Sequence, residues 1–92
     1  MKFILSPNID KKLKARNISL DDCMECFENR IGNFLLDTRE EHVTDPPTQW
    51  FVAETHSGRI LKIVFVNEGT EVYIKSAYDA NETIQQIYAR YS

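Results

Sequence analysis

The sequence predicts an α+β fold: a single small domain, residues 1–92, with an antiparallel sheet of about four strands, two helices before it and one after, in the order α-α-β-β-β-β-α. Three observations predict it. Up to about residue 31 the apolar residues recur at helical spacing, from Gln49 to Ala77 they give way to β-branched and aromatic runs divided by turn residues, and after Asn81 the helical spacing returns. A chain of 92 residues has room for one core, since chains divide into domains only beyond roughly 250 residues. Its 42% hydrophobic residues, with one Trp, four Tyr and five Phe, are enough to fill that core.

The elements follow in order. Ser6-Pro7 is an N-cap followed by proline at the first helical position, where a missing N–H costs nothing; the helix runs to about Arg16, with Ile9 and Leu13 as its apolar edge and Asn17 as a left-handed stop. Ser19 caps a second helix with acids in its first turn. Leu20, Cys23, Met24, Phe27 and Ile31 form its apolar stripe, which ends near Arg30 and is closed by Gly32. Asn33 to Asp37 gives a short strand, and Thr44-Asp45-Pro46-Pro47 is a loop because consecutive prolines suit neither helix nor central strand. Trp50–Thr55, Arg59–Val66 and Glu71–Ala77 are then three strands joined by two hairpins. Asn81 caps the last helix, with Ile84, Ile87, Tyr88 and Tyr91 on one face.

A turn at Glu68-Gly69 pairs Lys62 with Lys75 and Val64 with Tyr73, and a turn at Ser57-Gly58 pairs Ala53 with Lys62. One sheet face then holds Trp50, Val52, Leu61, Ile63, Phe65, Val72 and Ile74 for the helices to cover. The other holds Phe51, Ala53, Thr55, Ile60, Lys62, Val64, Glu71, Tyr73 and Lys75. Two lysines directly opposite each other repel and call for an anion, either a nearby glutamate or a phosphate. Simple solvation of both ammonium groups is the competing expectation.

The net charge of −3 argues against a broad basic surface for nucleic acid, yet it is unevenly distributed: residues 1–18 carry +4 and residues 19–45 carry −6. That pattern fits a local anion contact. Asp37-Thr38-Arg39-Glu40-Glu41-His42 packs five ionisable groups into six positions after a strand, where Glu and His move protons and Arg stabilises a charged intermediate. A merely solvated acidic loop is the plainer reading. His56 belongs to a hairpin turn and is expected to be exposed. Cys23-Met24-Glu25-Cys26 has C-x-x-C spacing, but no second ligand pair fits a zinc module and no βαβ context fits a redox motif, so reduced thiols and no metal are expected. No nucleotide-binding glycine fingerprint occurs, and no cofactor is expected. No stretch has the length and apolarity of a membrane span or a signal-peptide core, so no membrane partner and a cytoplasmic location are expected.

The opening Met-Lys-Phe, the basic helix leading into Asn17-Ile18-Ser19-Leu20, Asp37-x-Arg39-Glu40, Gly58-Arg59-Ile60-Leu61, Gly69 and Ser76-Ala77 resemble, in order and spacing over most of the chain, the BrnT-type toxins of the RelE-like superfamily. The resemblance implies the toxin of a bacterial type II toxin–antitoxin pair, a metal-independent ribonuclease held in check by a cognate antitoxin. Two departures stand out: Arg16-Asn17 occupies the end of the first helix where such chains usually have histidine, and Tyr78-Asp79-Ala80-Asn81 follows Ser76-Ala77 where they continue with arginines. Cleavage of RNA without a metal needs a base for the 2′-hydroxyl, cations for the phosphate and an acid for the leaving oxygen. Placement along the chain assigns His42 or Glu41 to proton transfer, Lys62, Lys75, Arg59, Arg39 and Arg16 to the phosphate, and Tyr73 or Tyr78 to stacking or acid work.

Two other functions compete. A non-catalytic protein-interaction module on the same scaffold would use Phe51, Val64 and Tyr73 as a docking face. Small chains with the Asp-Thr-Arg-Glu and Pro-Pro-Thr pattern are also labelled ADP-ribosyl-dinitrogen reductase hydrolase, but that class resembles a much larger helical enzyme with paired metals, which 92 residues do not house.

Overall fold

The computed structural model describes residues 1–38 and 45–92. Eight elements follow one another: β1 (Lys2–Ile4), α1 (Pro7–Ala15), α2 (Leu20–Asn29), β2 (Leu35–Leu36), β3 (Thr48–Glu54), β4 (Ile60–Glu68), β5 (Glu71–Asp79) and α3 (Glu82–Tyr91). The α+β class and the order of the helices and the last four strands agree with the sequence. The sheet has five strands, in the order β1-β5-β4-β3-β2, because Lys2-Phe3-Ile4 forms an additional edge strand parallel to β5, with Lys2 beside Glu71 and Ile4 beside Tyr73. Three residues are too few to show a β period, and their partner lies at the far end of the chain.

Each helix begins where its cap residue dictates. Ser6 Oγ accepts from Ile9 N at 3.3 Å with Pro7 at the first helical position. Ser19 and Asp22 form a reciprocal capping box, at 3.0 and 2.9 Å. Asn81 Oδ1 accepts from Ile84 N at 2.8 Å. Such side chains satisfy amide donors that the first turn leaves without partners. Asn17 takes a left-handed φ of 57° and turns the chain out of α1, as its side chain favours.

Two local expectations are corrected. Helix α2 ends at Asn29, with extended backbone at Arg30, so Ile31 lies beyond the apolar stripe and is fully exposed. Gly32 serves close approach instead of closing the helix: a Cβ there would meet Ser92 Oγ at 2.5 Å and Tyr88 Oη at 2.7 Å. Bare backbone at this position lets the end of α3 settle against the segment after α2, where Tyr88 Oη donates to Asn33 O at 2.8 Å.

The strand registers also differ from the sequence reading, and each difference has a local cause. Between β3 and β4 the loop is His56-Ser57-Gly58, three residues long, with Gly58 at φ 87° and Thr55 N donating to Arg59 O at 2.8 Å. A third loop residue reverses the alternation of the whole strand. Val52 therefore pairs with Lys62, Phe51 and Ala53 face α1 and α2, and Trp50 and Val52 lie on the opposite face of the sheet, half-buried at the margin of the core. Between β4 and β5 the turn is Gly69-Thr70, with Gly69 at φ 64°, and Glu68 pairs with Glu71. A bulge follows. Phe65 pairs with Ile74 but Val64 with Ser76, which leaves Lys75 as the extra residue and sets Lys62 opposite Tyr78. The direct Lys62–Lys75 pairing does not occur.

The resulting core lies between the sheet and the pair α1–α2. Phe51, Leu61, Ile63, Phe65, Val72, Ile74 and Ala77 meet Leu13, Ile18, Cys23 and Cys26 in one buried cluster. Phe27 is central to it, with ring centroids 5.0 Å from Phe3, 5.9 Å from Phe34, 4.7 Å from Phe51 and 5.1 Å from Phe65, mostly edge to face. Edge-to-face contacts add about 0.5–1.5 kcal/mol each beyond the burial of apolar area. Helix α3 packs elsewhere, with Tyr88 tilted against Trp50 at 5.8 Å, so the sheet is covered on its second face only at the β3 side by this helix. Among the described residues no helix is long and apolar enough to cross a membrane.

Candidate functional site

The face of the sheet turned away from α1 and α2 carries Trp50 and Val52 from β3, Ile60, Lys62 and Val64 from β4, and Tyr73, Ser76 and Tyr78 from β5. Lys62 is central to it. Its Nζ lies 4.5 Å from the centroid of the Trp50 ring and 5.6 Å from that of Tyr78. A second cation reaches the same tyrosine from the end of α1: the Arg16 guanidinium carbon is 5.9 Å from the Tyr78 centroid, and its Nη1 donates to Ala77 O at 3.0 Å. Lys75 is exposed and stands 5.8 Å from the Tyr73 ring centroid. Aromatic faces attract cations electrostatically, so these rings fix where the charges sit without neutralising them. Among the described residues neither Lys62 nor Arg16 takes part in an ion pair.

Tyr73 Oη donates to Glu71 Oε2 at 3.4 Å, and the nearby Glu71 carboxylate pushes the phenol above its ordinary value. The hydroxyl therefore keeps its proton. Arg59 sits apart from this row. Its Nε and Nη2 grip Asp79 at 2.7 and 3.0 Å, while Nη1 donates to Asn17 O at 2.6 Å and Nη2 to Arg16 O at 2.9 Å. One planar fork thus joins β4, β5 and the carbonyl end of α1, a geometry that Arg provides and Lys does not. The Arg59 hydrogen bonds hold the Asp79 carboxyl below its usual value.

Of the residues named from sequence, the structure brings together Lys62, Tyr78 and Arg16, sets Tyr73 and Lys75 farther along β5, and commits Arg59 to Asp79 and the α1 carbonyls. Arg39, Glu41 and His42 lie outside the described residues. Trp50, expected on the face toward the first two helices, lies on the opposite face, at the margin of the core and beside Lys62. A count of three loop residues ending in Gly58 carries that information in the sequence. His56 is exposed in its turn, as expected, and fastens the turn to α2: its backbone N donates to Glu25 Oε1 at 2.8 Å, and its ring meets Asn29 at 3.1 Å and Glu28 at 3.4 Å.

Cys23 and Cys26 are buried free thiols, pushed up to about 12 chiefly by burial, with Asp22 adding to the effect. Cys26 Sγ lies 3.6 Å from Ala53 O as a core contact. Thiols this hard to ionise are poor nucleophiles and poor metal ligands. Among the described residues no three His, Cys, Asp or Glu side chains gather as a metal-ligand set.

Beside Lys62 the second face deepens into a cavity of about 680 Å³ between β2, β3 and the end of α3. It is lined by Phe34, Leu35, Leu36, Trp50, Ile87 and Tyr91, with Lys62, Asp37 and Thr38 as its polar members. No protein-family model matches the sequence, and no curated protein matches it.

Proposed function

We propose that the chain is a BrnT-type toxin of a bacterial type II toxin–antitoxin pair, acting in the cytoplasm as a metal-independent ribonuclease. The observation that carries this reading is the row of cations interleaved with aromatic rings, in which Lys62 and Arg16 share Tyr78 and Lys62 also rests on Trp50. Single-stranded nucleic acids are held by this combination, cations for the phosphates and aromatic surface for the bases. The chain is acidic overall, so its attraction for RNA is local to this face.

In this reading Lys62 and Arg16 hold the scissile phosphate, with Lys75 on a neighbouring one. The 2′-hydroxyl gives its proton to His42 or Glu41 and attacks phosphorus. As that bond forms, the bond to the 5′-oxygen breaks, and this oxygen takes a proton from a tyrosine or from the protonated histidine. A 2′,3′-cyclic phosphate and a 5′-hydroxyl result. The cations act by stabilising the extra negative charge on the phosphorane. Arg59 has a different part: its fork to Asp79 and the α1 carbonyls fixes the backbone that carries Arg16.

The test uses purified protein, a single-stranded RNA pool and excess EDTA, with induced expression followed in parallel. Wild type is expected to leave cyclic-phosphate ends and arrest growth, and Lys62→Gln and Arg16→Gln each to lose at least tenfold in cleavage while keeping their circular dichroism. Intact RNA and unimpeded growth with the wild type would defeat the proposal.

A further inference from the structure

We infer that the cavity beside Lys62 is the docking groove for an amphipathic segment of a partner protein, one that inserts apolar side chains and sets an Asp or Glu against the Lys62 ammonium. Among the described residues five large apolar ones are exposed, and three of them, Leu36 at 58%, Ile87 at 43% and Tyr91 at 66%, come from β2 and α3 to rim this one cavity. Residues so far apart in sequence expose apolar surface together where something else is to cover it. The volume of about 680 Å³ accommodates two or three side chains and is too small for a folded domain. A segment is therefore the fitting occupant.

Charge decides the rest of its chemistry. Asp37 lines the same cavity but already has a partner within the chain, whereas Lys62 is held only by rings among the described residues. A cation on an aromatic face at the edge of an apolar cavity is matched by a carboxylate and opposed by a second cation. Rings and aliphatic chains line this cavity more than donors and acceptors do, so a peptide segment fits it better than a nucleotide. The docking chemistry stands on the groove itself; one consequence rests on the ribonuclease reading, namely that a segment covering Lys62 excludes RNA from the same ammonium.

The experiment pans wild-type protein against a phage-displayed library of random 12-residue peptides, with Ile87→Asn protein for counter-selection. Enriched peptides are expected to share two or more apolar residues next to Asp or Glu. They should bind at least tenfold more weakly to Ile87→Asn and to Lys62→Gln, and lose as much when their acid is changed to lysine. Three results would overturn the inference: no enrichment, peptides indifferent to Lys62→Gln, or wild-type dimers in sedimentation that Ile87→Asn dissociates, which would make a second copy the occupant. Binding of a single-stranded RNA to the same proteins separates the two proposals. The groove predicts that Ile87→Asn keeps RNA and loses peptide. RNA binding without peptide selection defeats the groove alone, and peptide selection without RNA binding defeats the ribonuclease alone.

Discussion

The two faces of the sheet use the same residue types to opposite ends. On the face toward α1 and α2, Phe27 meets four other rings and the neighbouring aliphatic side chains are closed off from water. On the other, Trp50, Tyr73 and Tyr78 meet ammonium and guanidinium groups. Ring against ring excludes water and fixes shape, while ring against cation fixes position and leaves the charge available. Closed packing and available charge thereby fall on different sides of one set of strands. The assignment is made by alternation alone, since Phe51 and Trp50 are adjacent in sequence and end on opposite faces.

The sharpest way to break this contrast is Phe27→Ala, expected to cost about 3 kcal/mol or more in urea unfolding, since truncating a core aromatic removes both transfer energy and packing. If the loss is under about 1 kcal/mol, the five-ring cluster is not what closes the core face. Next comes Gly32→Ala, where the new methyl would press on Tyr88 Oη and the end of α3. A loss of about 1–2 kcal/mol is expected from such overpacking, accompanied by a change in Trp50 fluorescence as Tyr88 shifts, because Tyr88 packs on that indole.

Arg59→Lys sits between the faces. It keeps the charge and loses the fork, for an expected cost of about 1 kcal/mol near neutral pH. Its pH dependence has a definite sign. The Asp79 carboxyl is lowered in the folded chain by its hydrogen bonds to Arg59, so the pair contributes above the ordinary carboxylate range, and that contribution is lost as pH falls through the lowered value. Wild type and variant should therefore converge in stability toward acid pH, and a difference that grew on acidification would sink this assignment. The smallest stability effect belongs to Lys62→Gln, expected within about 1 kcal/mol, the worth of an exposed cation–π contact. The same substitution should reduce the salt slope of RNA binding by about one.

What the sequence disclosed and what it hid divide along range of interaction. Caps act within three residues, so Ser6, Ser19 and Asn81 were readable as helix starts, and Asn17 as a stop. The inward face of β4 and the first half of β5 were readable from alternation. The face of β3 was not, because it depends on one residue in the His56-Ser57-Gly58 loop, and the Lys62–Lys75 pairing failed because the turn sits one residue later, at Gly69-Thr70, which moves Lys62 two positions along β5, and a bulge that no glycine or proline marks moves it one more. In the site, Lys62 and Tyr73 were legible as members of a cationic, aromatic strand face, whereas Tyr78 lies beyond Ala77, where the strand was read to end, and β5 runs on to Asp79. Trp50 was assigned to the wrong side by the same miscount, and the Arg59 fork was invisible because Asp79 and the α1 carbonyls lie twenty and more than forty residues away in the chain.

The parallel pairing of β1 with β5 has a consequence for the order of events during synthesis. Lys2, Phe3 and Ile4 have their sheet partners at Glu71, Val72 and Tyr73, so the strand of this sheet that is synthesised first is among the last to be hydrogen-bonded. Helices α1 and α2 and the β3–β4 hairpin have emerged before its place in the sheet exists. Long-range closure of this kind slows folding. For much of translation, therefore, the nascent chain carries Phe3 and Ile4 on a strand with nothing yet to join.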